Sequence, residues 1–245
     1  MTEPTIRILS TRPLEQGLLD QAARAGIRID SLSFIDTKPI RDTALTHQVQ
    51  QLGSQPLTAV FTSMNAVEAV AGHLAQQPAP EDSPTRPPWR VFCIGAATRR
   101  LAEAQLGPAA GTAPSAAALA DVILEHHLSE VFFFCGDRRR EELPGRLTTA
   151  GVEVHEVVVY RTTQTPHTVK GPYDGIVFFS PSAVHSFFSV NSTTEKTILF
   201  AIGKTTAETI HTYVNNSVIT SATPEKEGLV RQLIDYYERL KGARP

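Results

Sequence analysis

Small polar residues recur in clusters along the chain, each directly after an apolar, β-branched or aromatic run. They are Thr62-Ser63, Gly95, Gly136-Asp137, Ser180-Pro181-Ser182 and Gly203-Lys204-Thr205-Thr206. Where a strand ends and a helix begins, backbone N–H groups are unpaired and the helix dipole favours negative charge. Serine and threonine add hydroxyl donors there, and glycine admits close backbone approach. Taken singly, each cluster also reads as a helix cap. Taken as a set, they suit the binding of an anion. Arg138-Arg139-Arg140 follows FFFCGD at an expected helix start, where positive charge opposes the dipole unless an anion lies nearby. Arg12 holds a comparable position after the first apolar run. Tyr160 closes the run VVVY just before RTTQTP, and reads either as a cover for a strand end or as a phenol offered to a ligand.

Other chemistries lack their residues. GKTT at Gly203–Thr206 resembles the end of a phosphate-binding loop, but Ile198 stands where that loop requires its first glycine, and no GxGxxG occurs. His126 and His127 are adjacent and point in different directions on a helix. The other six histidines are scattered, and neither HExxH nor paired CxxC appears, so no metal site is expected. A serine hydrolase would need a GxSxG elbow, which is absent. Cys93 and Cys135 each sit in an apolar run and read as small buried hydrophobes.

The elements that must position these residues follow from pattern. Ile6–Ser10 reads as a strand, followed by a helix over 13–25 with Leu14, Leu18, Ala22 and Ala25 on one face and Gly26 as its stop. Further strands are expected at Ile29–Ile35, Thr58–Thr62, Val91–Ile94, Val131–Cys135, Val154–Tyr160, Gly175–Phe179 and Ile198–Ile202, most of them separated by helical stretches. Continuous apolar strands alternating with helices indicate an α/β fold with parallel sheets. A C-terminal helix is expected, capped by Thr223 with Pro224 in its first turn, burying Leu229, Val230, Leu233, Ile234, Tyr237 and Leu240. Gln76–Pro88 is proline-rich and aperiodic, and reads as a surface loop.

An internal repeat sharpens the organisation. FTSMNAV at Phe61–Val67 matches FFSPSAV at Phe178–Val184, IGAAT at Ile94–Thr98 matches IGKTT at Ile202–Thr206, and TAPSAAAL at Thr112–Leu119 resembles ATPEKEGL at Ala222–Leu229. Ala25-Gly26-Ile27 likewise resembles Ala150-Gly151-Val152. The matches keep one order along the chain, so two related α/β units of roughly 120 residues are expected, with a ligand cleft between them. The chain length of 245 residues accommodates two such units. Hydrophobic residues make up 41%, enough for real cores. A formal net charge of −2 excludes the broad basic surface that nucleic-acid binding needs, yet still allows a polycarboxylate gripped by amides and hydroxyls. No apolar stretch approaches the ~20 residues of a membrane span, and no secretory signal is visible, which reads as a cytoplasmic protein.

Several of these segments, in order, resemble the uroporphyrinogen-III synthase family: FTSMNAVEA at Phe61–Ala69, FCGDRRREELPGRLTTAGVEV at Phe134–Val154, VVYRT at Val158–Thr162, FFSPSAV at Phe178–Val184 and IGKTTAETI at Ile202–Ile210. The resemblance implies two flavodoxin-like lobes joined by a two-stranded linker. One lobe would comprise residues 1–36 with 166–245, the other 41–160, with linkers at 36–41 and 160–166. It also implies a cofactor-free lyase that cyclises linear hydroxymethylbilane to uroporphyrinogen III, losing water and inverting ring D through a spiro intermediate. Tyr160 matches the family tyrosine that assists departure of the hydroxyl. The substrate-binding set is then Arg12, Thr62, Ser63, Gly95, Cys135, Gly136, Arg138, Ser180, Ser182, Gly203, Thr205 and Thr206, with no metal. Lys204 departs from relatives that carry proline there. A monomer is expected, receiving its substrate from hydroxymethylbilane synthase, with neither nucleic acid nor membrane as partner. The competing readings are a non-catalytic two-lobed binding module for an anionic tetrapyrrole-like ligand and a receiver-like signalling domain. The second would need acidic residues after the first strand, where Ser10-Thr11-Arg12 stands.

Overall fold

Runs such as Phe132–Cys135 and Ile176–Phe178 are too apolar for a strand with one wet face, and each lies in a sheet covered by helices on both sides. The computed structural model describes residues 6–76, 86–223 and 225–242. The loop expected at Gln76–Pro88 therefore falls, over residues 77–85, outside the described residues, as do Pro224 and residues 1–5.

The elements in chain order begin β1 (Ile6–Ser10), α1 (Gln16–Arg24), β2 (Ile27–Ser31), β3 (Ile35–Pro39), α2 (Thr43–Gly53), β4 (Leu57–Phe61) and α3 (Met64–Leu74). They continue with β5 (Trp89–Ile94), α4 (Ala96–Gln105), β6 (Ala109–Ala113), α5 (Ala116–Glu125), β7 (Glu130–Gly136), α6 (Glu142–Thr149) and β8 (Glu153–Gln164). The last are β9 (Gly175–Phe178), α7 (Pro181–Phe188), β10 (Ile198–Ala201), α8 (Lys204–His211), β11 (Val218–Thr220) and α9 (Lys226–Gly242). The chain divides into two compact units, one of residues 1–36 with 163–245 and one of residues 37–162, and it passes between them within β3 and near the end of β8.

The first unit holds a sheet in the order β11-β10-β9-β1-β2, with every neighbouring pair parallel. Side-chain alternation splits its core. Leu9, Ile176, Phe178, Leu199 and Ala201 meet α7 and α8, while Ile8, Val177 and Phe200 meet α1 and α9.

The second unit holds the order β3-β8-β7-β4-β5-β6, parallel from β8 to β6. Ala59, Phe61, Val91, Cys93 and Phe134 face one way, against α2, α3 and α4; Val60, Phe92, Val131, Phe133 and Cys135 face the other, against α5 and α6. Phe134 stacks between Phe61 and Trp89, with ring centroids 5.2 Å apart in both pairs. Each such buried ring stabilises the unit by roughly 1.5–3 kcal/mol. The Trp89 indole N–H also donates to the Leu52 carbonyl at 2.9 Å.

Several boundaries differ from expectation. Gly26, at φ +71°, turns the chain straight from α1 into the sheet, so Ile27 already pairs with Ile6 and β2 starts two residues early. The expected strand Ile29–Ile35 is instead the end of β2, a turn, and the start of β3. Two strands escape the apolar pattern: β6 is built of alanine, glycine and threonine, β11 has three residues, and both are sheet edges. Helix α1 begins at Gln16, leaving Pro13 outside it. Helix α9 begins at Lys226 with the Glu225 carbonyl accepting from Leu229 N–H, so Thr223 precedes the helix instead of capping it. Strand β8 does not end at Tyr160 but runs to Gln164, because β3 lies beside it in the sheet.

Candidate active site

Because the strands of the first unit and those from β8 to β6 in the second are parallel, their carboxyl ends fall on one edge of each sheet, which is where ligands bind in open α/β folds. In the second unit this edge carries Thr62 and Ser63 after β4, Gly95 after β5, and Cys135 and Gly136 closing β7, with Arg138 just beyond. In the first it carries Arg12 after β1, Ser180 and Ser182 after β9, and Gly203, Thr205 and Thr206 after β10.

One group of these residues is in contact. The Ser63 hydroxyl donates to the Tyr160 phenol oxygen at 3.2 Å and accepts from the Ala66 N–H at 3.3 Å, so Ser63 both caps α3 and holds the phenol. Tyr160 lies opposite Gly136 across the β7–β8 pair. A Cβ on Gly136 would lie 2.5 Å from Cε2 and Cζ of the tyrosine ring and 2.9 Å from its hydroxyl oxygen. Partial burial raises the phenol above its ordinary value of 10.0, and the Ser63 hydrogen bond works against that rise. The phenol is thus neutral near pH 7, with its own proton available to a neighbouring acceptor.

The remaining strand ends supply donors. Ser180 accepts from Ala183 N–H at 3.2 Å and caps α7 as Ser63 caps α3. Gly95, at φ +78°, sits in the left-handed region before α4, where a side chain would be strained. Among the described residues, the hydroxyls of Thr62 and Ser182 (both half-buried) and of exposed Thr205 have no hydrogen-bond partner. Lys204 is exposed and reaches Glu208 at 3.7 Å, one turn along α8. Arg12 and Arg138 are exposed.

The arginine triplet differs from its expected role. Helix α6 starts at Glu142, an acidic residue in its first turn, so the arginines precede the helix and do not oppose its dipole. Arg139 is held by Glu141 and Glu156, which raise its already high pKa. Arg138 and Arg140 carry no ion pair among the described residues and remain the cations of that turn.

Two residues of the expected binding set are withheld from a ligand. Alternation along β7 turns Cys135 into the core under α5 and α6, where it is 1% exposed and burial pushes its thiol up to about 11. Thr206 lies on the buried face of α8 with Ala207 and Ile210. Its hydroxyl has no partner there. Conversely, Asp137, noted in the sequence only as part of the Gly136-Asp137 cluster and not placed in the binding set, is a structural participant. Its N–H donates to the Tyr160 carbonyl at 3.1 Å, and its carboxylate accepts from the Thr162 N–H at 2.8 Å. A short acidic residue directly after a strand's terminal glycine is the one signal that points to it.

A cavity of about 270 Å³ in the first unit lies at the opposite, amino ends of β9 and β10, lined in part by Val169, Tyr173, Asn191, Thr194 and Thr197. Several of its polar groups are spent internally: Asn191 bonds Val169, His167 and Phe187, and Thr197 bonds Thr194 and the Tyr173 carbonyl. It is no rival to the strand-end edge. Among the described residues no group of three His, Cys, Asp or Glu side chains is placed to hold a metal ion, and no helix is long and apolar enough to cross a membrane.

Comparison with known proteins bears on what this arrangement does. The family model described as uroporphyrinogen-III synthase HemD matches residues 17–231. Among solved structures, the chain is similar to a mutant uroporphyrinogen III synthase from the extremely thermophilic bacterium Thermus thermophilus. The TM-score is 0.65 at 15% identity, over 97% of this chain and 99% of that one. It is similar also to uroporphyrinogen-III synthetase from Helicobacter pylori, with a TM-score of 0.62 at 15% identity over 94% of this chain and 99% of that one. At such identities the likeness establishes the fold. No curated protein sequence matches the chain.

Proposed function

The chain belongs to the uroporphyrinogen-III synthase family, an enzyme family of tetrapyrrole biosynthesis, and from that premise we propose that it is a lyase converting hydroxymethylbilane to uroporphyrinogen III. The reaction removes the terminal hydroxyl as water and closes the macrocycle with ring D inverted through a spiro intermediate. No electrons are exchanged with a second reagent, so the chemistry calls for no redox cofactor. The match across residues 17–231 carries the assignment.

The strand-end residues fit the demands of that reaction. Loss of hydroxide from a pyrrole-bearing carbon needs a donor at the departing oxygen. Tyr160, neutral and with its oxygen already accepting from Ser63, donates a hydrogen bond to that oxygen. The carbon left behind is electron-poor, so a crowd of nearby cations would oppose its formation. Hydroxyls and backbone amides at the starts of α3, α7 and α8, with Thr62, Ser182 and Thr205, bind substrate carboxylates without that penalty, and Arg12 and Arg138 supply the few full charges. Since ring closure without inversion is available in solution, the enzyme's contribution is largely to hold the reactive terminus over the substituted carbon of ring D. The same reading makes the protein a cytoplasmic monomer that receives its substrate from hydroxymethylbilane synthase.

Incubation with enzymatically generated hydroxymethylbilane, followed by oxidation and chromatographic separation of the isomers, tests the assignment. The type III isomer is expected. Type I product alone, at the rate of the uncatalysed closure, would leave the chain a binding protein.

A further inference from the structure

Strand β8 carries an irregularity at the residue the mechanism depends on. Up to Cys135 the β7–β8 register advances one residue for one, with Phe134 opposite Val157 and Cys135 opposite Val158. At the next step Gly136 faces Tyr160, so Val159 and Tyr160 together span a single position of β7. Such bulges bend a strand and re-aim its side chains, and they are rare between parallel strands. The consequence is visible in the packing. Val157 and Val159 face the core under α2, α3 and α4, while Val158 is exposed on the other face. Strict alternation would send Tyr160 the way of Val158. Instead it packs against the same core as Val159, which brings its phenol to Ser63 at the start of α3.

Two residues at the end of β7, Gly136 and the following Asp137, hold this arrangement. The tyrosine ring lies directly on the backbone of Gly136, in space that any side chain at 136 would occupy. Asp137 then ties β8 directly after the ring's attachment, its N–H bonding the carbonyl of residue 160 and its carboxylate the N–H of residue 162. We propose that Gly136 and Asp137 are positioning residues that set the Tyr160 phenol through the β8 bulge, with Gly136 supplying space and not a substrate contact.

The proposal rests on the reading of Tyr160 as the group that assists hydroxyl departure, and the test separates the two. Kinetics of Gly136→Ala, Asp137→Ala, Asp137→Asn, Tyr160→Phe and Gly136→Ala/Tyr160→Phe are measured. The Tyr160 signal in protein carrying ¹³C-labelled tyrosine, identified by its loss in Tyr160→Phe, is recorded beside them. Gly136→Ala is expected to lower kcat by roughly tenfold to a hundredfold, the scale of a misplaced catalytic group, with KM unchanged, and to move the Tyr160 signal. Asp137→Ala does the same to a smaller degree, and Asp137→Asn, which keeps an acceptor for residue 162, restores both readouts. In the Tyr160→Phe background, Gly136→Ala costs kcat nothing further, because the hydroxyl it would misplace is gone.

An unmoved Tyr160 signal in both Gly136→Ala and Asp137→Ala overturns the clamp, whatever the kinetics. So does a raised KM, or a kcat loss from Gly136→Ala that is as large in the Tyr160→Phe background as in the wild-type protein. Should Gly136→Ala fail to fold, the Asp137 pair carries the same readouts. Full activity in Tyr160→Phe would instead remove Tyr160 from the reaction, while the spectroscopic result still judges the clamp.

Discussion

Ser63 and Ser115 occupy equivalent corners of the second unit, each accepting from the N–H three residues on and each starting a helix. Only Ser63 also touches a phenol. Replacing either by alanine removes a cap and is expected to cost about 1 kcal/mol of stability, measured by urea denaturation. Ser63→Ala alone is expected to slow turnover severalfold, since the phenol loses the donor that orients it and opposes its raised pKa. Ser115→Ala keeps wild-type turnover. Equal turnover in the two variants would show that the Ser63 hydrogen bond is idle in the reaction. The types and places of Ser63 and Tyr160 are legible in the sequence, as hydroxyls at apolar run ends. Their contact is not, because 97 residues separate them, and no local pattern reports a pairing across a sheet. Gly136 is legible only as a glycine at a strand end. Whether such a glycine serves a ligand's approach or a neighbouring ring depends on what packs over it.

Helix α3 illustrates how an element carries a polar residue inside its apolar stripe. MNAVEAVAGHL buries Ala66, Val67, Ala69 and Val70, and with them His73, 2% exposed in its last turn. The imidazole Nδ1 meets the Thr46 hydroxyl of α2 at 2.9 Å, and Gln50 of α2 donates to the His73 carbonyl, so this residue joins the two helices. Burial depresses the imidazole below its ordinary 6.5, positive Arg41 adds in the same direction, and the backbone of Ile40 opposes. As pH falls through 6.5 the unfolded chain takes up this proton first, so stability declines from about pH 6.5 down to the depressed folded value and is flat in this respect above pH 7. Denaturation midpoints across pH 5–8 should show that decline, and His73→Gln should flatten it. An unchanged slope would place the acid sensitivity elsewhere. At this scale the sequence is informative where periodicity is strong: the central strands and the stripes of α1 and α9 follow from it directly, save that Leu240, expected in the α9 stripe, is exposed. It fails at β6 and β11, whose edge positions demand little apolar surface. It also fails at the end of β8, where polar residues extend the strand only because β3 lies beside them.

The two sheets are one pattern drawn from the chain in two ways. Read from β2, the first unit runs β2-β1-β9-β10-β11; read from β8, the second runs β8-β7-β4-β5-β6 beyond its extra edge strand β3. Each is a β–α–β arm laid beside a three-strand run, the order of flavodoxin-like folds. The sequence repeat groups the elements otherwise: β1 and β2 precede β4, β5 and β6 in one copy, as β7 and β8 precede β9, β10 and β11 in the other. Each unit therefore takes its arm from one copy and its run from the other, which is why the chain must cross twice. Matching motifs reveal the copies but not the exchange, because either pairing buries the same apolar faces. The exchange leaves residues 37–162 continuous in sequence with both core clusters of that unit inside them. In the first unit, residues 34 and 165 are joined by a backbone hydrogen bond of 3.0 Å and Thr165 also bonds the Ser33 carbonyl, so the ends left by excision lie together. A fragment of residues 37–162, and a chain in which Asp36 is linked to Thr163 by a short glycine–serine segment, should each fold alone. Cooperative thermal unfolding by circular dichroism, with a single transition in each, is the expected result. A broad, non-cooperative melt of either piece would mean that its sheet depends on the other unit. The exchange would then be a requirement for folding, and not just a rearrangement of two self-sufficient halves.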